Sequence, residues 1–381
     1  MIARPETPPI PPLEGDRSDG RQTTVADRTL EGAREPRAVA FLEFLSELKP
    51  SVEAGLEARW RGELRGLARY GPEVEAMAAE AQRLTLRGGK RFRAGLVVAA
   101  HLGVAPDAPL QPALDAAVAL ELLQTYLLIQ DDWIDGDLTR RGGPSVHAAL
   151  GAALGDAHLG ATSAILASDL TWGLALGTLA AAPARPAAVL AAVQLLCRVH
   201  DDVVVGQYLD VLGQAEDVEQ MHALKTGSYT VRGPLLLGAT LAGAGDEVLA
   251  ALDRFAAPVG IAFQLRDDLL GTFGSEAETG KPVGNDLRAG KRTAVRAWAE
   301  ARLDADGRRA LEAVLGQGSA PAQAVAEATA ALEACGARRA IEDRMAALCD
   351  EAEALAARLP VTERSRELLG GAASALRRRP A

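Results

Sequence analysis

The chain has 381 residues, 48% hydrophobic and 24% charged, ample for a large core in one domain or two. A formal net charge of −10 argues against a nucleic-acid surface, although local basic sites stay open. Three scattered cysteines, Cys197, Cys335 and Cys349, show no CxxC spacing, which argues against structural zinc and for a reducing, cytoplasmic setting.

The opening MIARPETPPIPPLEG holds no apolar stretch of the signal-peptide kind. Residues 1–36 are rich in Pro, Arg, Glu, Asp and Gly, too poor in large apolar groups to offset the cost of ordering, and are expected to form a disordered leader. Ala and Leu dominate the body, so the expected fold class is all-α, with residues 37–369 as a single helical domain and 370–381 as a frayed tail. A helix from Val39 should stop at Pro50, a second should run from Ser51 to Tyr70, and a third should follow Gly71-Pro72, over Glu73–Leu86. Gly88 and Gly89 then open a turn into Lys90, Arg91 and Arg93 and an apolar helix through Leu96, Val97 and Val98. Basic side chains at a helix start make a candidate anion site, or else a basic surface patch.

The next helix, from Leu110 or Ala113 to Asp135, carries the stretch LLQTYLLIQDDWIDGDLTRRGG at its end. Glu121 and Gln124 are polar inside its apolar run and need partners or a function. On a helix Asp131 and Asp135 lie one above the other, with Asp132 beside them. Stacked carboxylates repel, and a hard divalent cation such as Mg²⁺ is the simplest compensation. Arg140 and Arg141 then fit as forks for phosphate oxygens. His147, in a loop with a short helix over 142–158, reads as a hydrogen-bonding residue rather than a metal ligand.

Two long helices follow, Leu159–Ala181 and Ala184–Leu212. The stretch Leu170–Leu190 comes nearest to a membrane span, but Pro183 and Pro186 break it, and no transmembrane segment is expected. Asp201-Asp202 reads as a surface acidic patch, and Gly206 as a place of close helix packing. Within Glu216–Ala242, Lys225, Thr226 and Gly227 interrupt an apolar helix, consistent with a kink that turns a lysine inward. Asp246–Phe273 ends FQLRDDLLGTFG, so Asp267-Asp268 repeats the earlier pattern of an apolar run ending in carboxylates. The segment from Ser275 to Thr293, with Lys281, Asp286, Lys291 and Arg292, reads as a mobile loop closing on an anion. Two acidic helix ends, each beneath an apolar run and near basic groups, suit a diphosphate head with a hydrocarbon tail.

Taken together, GGKRFR at 88–93, DDWID at 131–135, LTRRG at 138–142, GQ at 206–207, KT at 225–226 and FQLRDD at 263–268 resemble the trans-isoprenyl diphosphate synthases of the polyprenyl synthetase family over about residues 40–360. The resemblance implies a bundle of long antiparallel helices around a central cavity, usually a homodimer, that condenses isopentenyl diphosphate with an allylic diphosphate. It implies three Mg²⁺ ions, replaceable in principle by Mn²⁺, on Asp131 and Asp135 with Asp132 in support, and on Asp267 with Asp268 nearby. Arg140, Lys225, Gln264 and Lys281 match positions that hold the allylic diphosphate, and Lys90, Arg93, Gln124 and Arg141 those that hold isopentenyl diphosphate. Thr226 and Gln264 match positions that steady the allylic cation.

One departure is plain: the second motif reads DDLLG, with Gly271 where the family has its last aspartate. That leaves a weakly active or regulatory partner subunit as an alternative, beside a class I terpene cyclase, for which no Asn/Ser/Glu metal motif is present. For product length, Tyr126 lies five residues before Asp131, roughly 7.5 Å along the helix, with Leu127 at the fourth. An aromatic at the fifth position alone resembles enzymes making geranylgeranyl diphosphate, with farnesyl diphosphate the nearest competitor.

Overall fold

The computed structural model describes residues 36–213, 218–276 and 283–377. Residues 1–35 of the expected leader, residues 378–381 and Lys281 lie outside the described residues.

Among the described residues the chain is all-α apart from one two-residue hairpin. Helix α1 runs without a break from Pro36 to Leu67, straight through Pro50, where two helices were expected. The reason is packing: Phe41, Phe44, Leu45 and Leu48 before the proline and Val52, Leu56 and Trp60 after it form one buried stripe, while Pro50 itself is exposed. Tertiary burial of that stripe outweighs the hydrogen bond the proline removes. Helix α2 (Pro72–Leu86) follows, and then α3 (Phe92–Val104).

Helix α4 (Gln111–Ile134) is the axis of the molecule. Pro112 sits in its first turn, where a missing N–H costs nothing. Ala116, Ala117, Leu120, Leu122 and Leu123 are fully buried on several sides of it. A helix apolar all round must be enclosed. Helices α1, α3, α6 (Ala157–Ala180) and α9 (Gly233–Ala242) enclose this one. Strands β1 (Thr139–Arg140) and β2 (Gly143–Pro144) and helix α5 (Val146–Leu154) connect α4 to α6.

Helix α7 (Pro186–Leu212) starts on Pro186, two residues after the expected Ala184, because proline suits a first helical position. Helix α8 (Val218–His222) leads into a π-helical stretch, Ala223–Arg232, at the place where an interruption was expected. Helix α10 (Asp246–Phe273) packs on that stretch and on α15 (Ala337–Ala356). Between them lie α11 (Asn285–Arg288), α12 (Ala294–Glu300), α13 (Ala305–Glu312) and α14 (Ala322–Ala334). Residues 370–374 do not fray. They complete α16 (Glu363–Ser374), with Gly370 to Ser374 buried. A Cβ on Gly371 would run into the carbonyl of Arg37, so the small side chains there let α16 close on α1.

Helices α4, α6 and α10 are long and apolar enough to cross a membrane by length and composition alone. The bundle uses α4 as its core and α10 as the carrier of an acidic pair. Helix α6 keeps Leu159, Ile165 and Leu166 exposed along one side, so it is half-open rather than a buried helix.

Candidate active site

The C-terminal end of α4 forms one wall of a cavity of about 750 Å³, and the C-terminal third of α10 forms the wall opposite. Asp131, Arg140, Lys225, Thr226, Gln264 and Asp267 all line it. These six of the expected residues therefore meet in one place.

On the first wall the carboxylates are matched by cations brought from elsewhere. Asp132 is fully buried, and Arg140 Nε donates to its Oδ1 at 2.6 Å, while Oδ2 has no hydrogen-bond partner. Burial pushes the Asp132 carboxyl up to about 6, against the pull of Arg140. Arg140 also reaches Asp131 at 3.2 Å and Asp137 at 3.4 Å. It can do so because β1 and β2 form a tight hairpin whose central residues, Arg141 and Gly142, both have positive φ, as the twist of a two-residue turn demands. Lys225 Nζ donates to Asp210 at 2.5 Å and stands 3.7 Å from Asp131. A Cβ on Gly206 would strike the backbone of Lys225, so the glycine lets α7 and the π-helical stretch approach and turns the lysine inward. Lys291 bridges to Asp135 at 2.7 Å; burial opposes its charge, but Asp135, Asp131 and Asp286 together hold its pKa above the ordinary value.

The second wall uses neutral donors. Gln264 Nε2 donates to Asp268 Oδ1 at 2.8 Å, and the backbone N–H of Ala294 donates to Oδ2 at 2.7 Å. Both oxygens of Asp268 are thus held by the protein. Burial pushes this carboxyl up to about 7, with Asp286 and Asp267 adding to the shift. Asp267 opens onto the cavity with its side chain exposed there, and desolvation by the surrounding walls raises its carboxyl to about 6 against Arg266, Arg93 and Lys90.

The basic turn lies at the edge of the same site. Gly88, Gly89 and Arg91 take positive φ, and Arg91 is buried in an ion pair with Glu121 at 2.6 Å. That pair accounts for the first of the two polar residues inside α4. Arg93 is buried, donates to Thr230 at 2.7 Å and lies over the Tyr229 ring at 4.3 Å, with its Nε lacking a partner. Arg141 donates to the Gly88 carbonyl at 2.9 Å. Its charge is disfavoured by burial and, beyond the help of Glu121, by Arg91, Arg93 and Arg140 close by. Like charges gathered out of water in this way call for an anion.

Several expected residues stand off the cavity wall. Lys90, Gln124, Arg141, Asp132 and Asp135 do not line it, although Asp132 and Asp135 bond to Arg140 and Lys291, which do. Gln124 is half-buried on α4. Tyr126 also lies behind the cavity wall: Leu127 and Leu128 form the wall, while Tyr126 bonds to His200 Nε2 at 3.0 Å and packs against Trp172. His147 meets Ser145 Oγ at 3.2 Å. The expected mobile loop is, over 283–293, a pinned strap: Leu287 is buried, and its carbonyl accepts from Gly316 N at 3.1 Å. Sequence reasoning gave no role to Asp210 or His222 in this site, and it placed Asp286 and Lys291 there only as charges of a loop closing on an anion.

Among the described residues no three His, Cys, Asp or Glu side chains converge to hold a metal unaided. An all-oxygen set of separated carboxylates fits Mg²⁺, which takes one or two protein carboxylates and completes its shell with water and phosphate. The buried, unpartnered Oδ2 of Asp132 adds a free acceptor at that end.

Residues 74–332 match the model of the polyprenyl synthetase family. The chain belongs to that family. A geranylgeranyl pyrophosphate synthase from Corynebacterium glutamicum, solved with isoprenyl diphosphate and magnesium, superposes with a TM-score of 0.83 at 32% identity, covering 88% of this chain and 99% of that one. A geranylgeranyl diphosphate synthase of Mycobacterium tuberculosis is 39% identical over 56% of this chain and 59% of its own length. A farnesyl diphosphate synthase of Geobacillus stearothermophilus is 35% identical over 66% of this chain and 82% of its own. This polyprenyl synthetase is a Mg²⁺-dependent prenyltransferase that condenses isopentenyl diphosphate with an allylic diphosphate in trans geometry.

Proposed function

We propose that the product is geranylgeranyl diphosphate (C20) and that Asp131, Asp135 and Asp267 are the carboxylates that take up to three Mg²⁺ ions, with Asp132 and Asp268 positioning them. The observation that carries this reading is the convergence of Asp131 and Asp267 on one cavity, with Lys225 Nζ 3.7 Å from Asp131. Mg²⁺, when bound, neutralises the diphosphate and stabilises it as a leaving group. Arg140, Lys225, Gln264 and, by resemblance, Lys281 hold the allylic diphosphate. Arg140 and Lys225 already bond to carboxylates there and can exchange them for phosphate oxygens. Lys90, Arg93, Gln124 and Arg141 hold isopentenyl diphosphate, for which the crowded guanidinium groups supply the attraction.

As the allylic C–O bond breaks, positive charge develops on the hydrocarbon. The Thr226 hydroxyl and the Gln264 side-chain oxygen, both on the cavity wall, present dipoles to it. The double bond of isopentenyl diphosphate attacks the cation, and a proton then leaves to the released diphosphate. Val203, Val204, Leu127 and Leu128 line the tail's path and exclude water from the cation.

Chain length rests on what stops the tail. Leu127 and Val203 are the wall residues nearest the starts of α4 and α7, and Tyr126 and His200 come just before them. Tyr126, His200 and Trp172, the last two stacked at 4.5 Å, form an aromatic layer beneath. We take that layer, with Tyr126 foremost, as the floor. Leu154, Leu159, Ile165, Leu166 and Leu190 are exposed apolar side chains on α5, α6 and α7, which supports a homodimer. Three free thiols support a cytoplasmic setting, and the net charge of −10 supports the absence of a nucleic-acid partner.

The test is an assay of the purified chain with Mg²⁺, isopentenyl diphosphate and allylic primers of several lengths. A C20 product supports the proposal; a product that stops at C15 overturns the chain length, and no condensation overturns the assignment of the site.

A further inference from the structure

We propose that Asp286 supplies the carboxylate that Gly271 withholds from the second acidic cluster, so that this chain keeps a three-carboxylate wall assembled from two segments. The inference rests on the reading of Asp267 as a metal ligand given above.

Gly271 falls four residues after Asp267, on the face of α10 that turns toward the cavity, and both residues line it. A side chain starting from Gly271 meets Asp286: with that residue in place, its Cβ would overlap the carboxylate at both Oδ2 and Cγ. The volume that an aspartate at 271 would use is therefore already filled, by a carboxylate. Asp286 also lines the cavity. Its charge is felt by both acids of the second motif, raising Asp267 and Asp268, and it adds to the field that keeps Lys291 charged.

The placement is fixed by the strap. Gly284 takes φ +69° as the chain enters α11, and a Cβ there would run into Val325. Arg288 Nη1 donates to the Val283 carbonyl at 2.5 Å, and its Nε donates to the Ala320 carbonyl at 3.3 Å. Lys291 N closes the turn onto the Asp286 carbonyl at 2.9 Å. An anchored segment thus delivers the carboxylate against α10. Glycine at 271 is the residue that admits it, because every other side chain begins with the Cβ that the carboxylate excludes.

The consequence is a reciprocal swap. Mn²⁺ binding in the presence of inorganic pyrophosphate, followed by electron paramagnetic resonance of the free ion, reads the wall without turnover. Asp286→Asn keeps shape and loses charge, and should weaken Mn²⁺ binding about tenfold or more, the range for groups that orient a metal's ligands and waters. Asp286→Ala should do the same, and Gly271→Asp added to Asp286→Ala should restore most of the affinity, since the new carboxylate then has the vacated volume. Thermal melting of each metal-free variant separates a metal effect from a folding failure. Wild-type affinity in folded Asp286→Asn overturns the inference, as does a double variant no tighter than Asp286→Ala. Failure of the wild-type chain to bind Mn²⁺ with pyrophosphate overturns the reading of the site itself.

Discussion

The two walls of the cavity hold acids by different means. On α4 each carboxylate meets a cation from another element: Asp132 meets Arg140, Asp131 meets Arg140 and Lys225, and Asp135 meets Lys291. On α10 Asp268 is held by an amide and a backbone N–H, and its carboxyl is pushed up to about 7. The first wall is a set of exchangeable ion pairs, ready to trade protein cations for metal and phosphate. Around Asp268 the second wall is a fixed frame of neutral donors, with Asp267, near Arg266, Arg93 and Lys90, as the acid facing the cavity. Neutral donors hold direction well but compensate little charge, so the second wall depends more on the arriving metal.

The largest effect should come from the cavity-facing acids. Asp131→Asn removes the charge that both Lys225 and a metal would meet, and should lower kcat by about 10³-fold or more, measured by steady-state assay with saturating Mg²⁺. Asp268→Asn should cost less, because an Asn oxygen can still accept from Gln264 or Ala294. Equal losses at the two positions would erase the distinction between the walls. Gln264→Ala comes next. It leaves Asp268 with one donor instead of two and removes a dipole from the cavity, and should lower kcat and divalent-metal affinity by roughly 10- to 100-fold. An unchanged metal affinity in that variant would mean that Gln264 does not hold Asp268 for the metal.

The pH dependence sharpens the same contrast. Asp268 is raised to about 7, and Asp132 and Asp267 to about 6. Between the ordinary carboxylate range and these values the metal-free folded chain binds protons that the unfolded chain does not. Its stability should therefore rise as pH falls from about 7 toward 4, since the raised values favour the neutral acids. Metal binding runs the opposite way, because ligation needs the charged form. A carboxylate titrating at about 6 should leave Mn²⁺ roughly tenfold weaker at pH 5 than at pH 7. Melting of the metal-free chain and Mn²⁺ titration at both pH values check the two signs together; parallel trends would contradict the assignment of these acids to the metal.

The helices and the acids were legible in the sequence because each has a local cause. Asp246–Phe273 follows from a long apolar run ending before Gly274, and the interruption at Lys225–Gly227 from polar residues in an apolar helix, although its π-helical form and its length over Ala223–Arg232 did not. What escaped was set by distant packing. Pro50 reads as a stop until the stripe from Phe41 to Trp60 is seen on one face. Residues 370–374 read as a tail until α1 is there to cover them. Asp286 and Lys291 read as loop charges until the strap is seen to lie along both walls. Glu121 announced a partner, but nothing in the sequence said that it was Arg91 rather than Lys90 or Arg93.

The smallest effect on rate should come from the bottom of the cavity, where neither wall's acids are touched. Tyr126 is buried, lies off the cavity wall and is tied to His200 at 3.0 Å. Tyr126→Ala removes the hydroxyl partner of His200 and opens the volume beneath Leu127. Chemistry at the diphosphate end, five residues further along α4, keeps its geometry, so the first condensation should proceed at close to the normal rate. The chain should instead grow past C20, read by chromatography of the dephosphorylated products. Trp172→Ala should lengthen the product less, because Tyr126 still stands between it and Leu127. If Tyr126→Ala leaves the length distribution unchanged while Leu127→Ala shifts it, the stop lies in the wall itself and the aromatic layer only supports it.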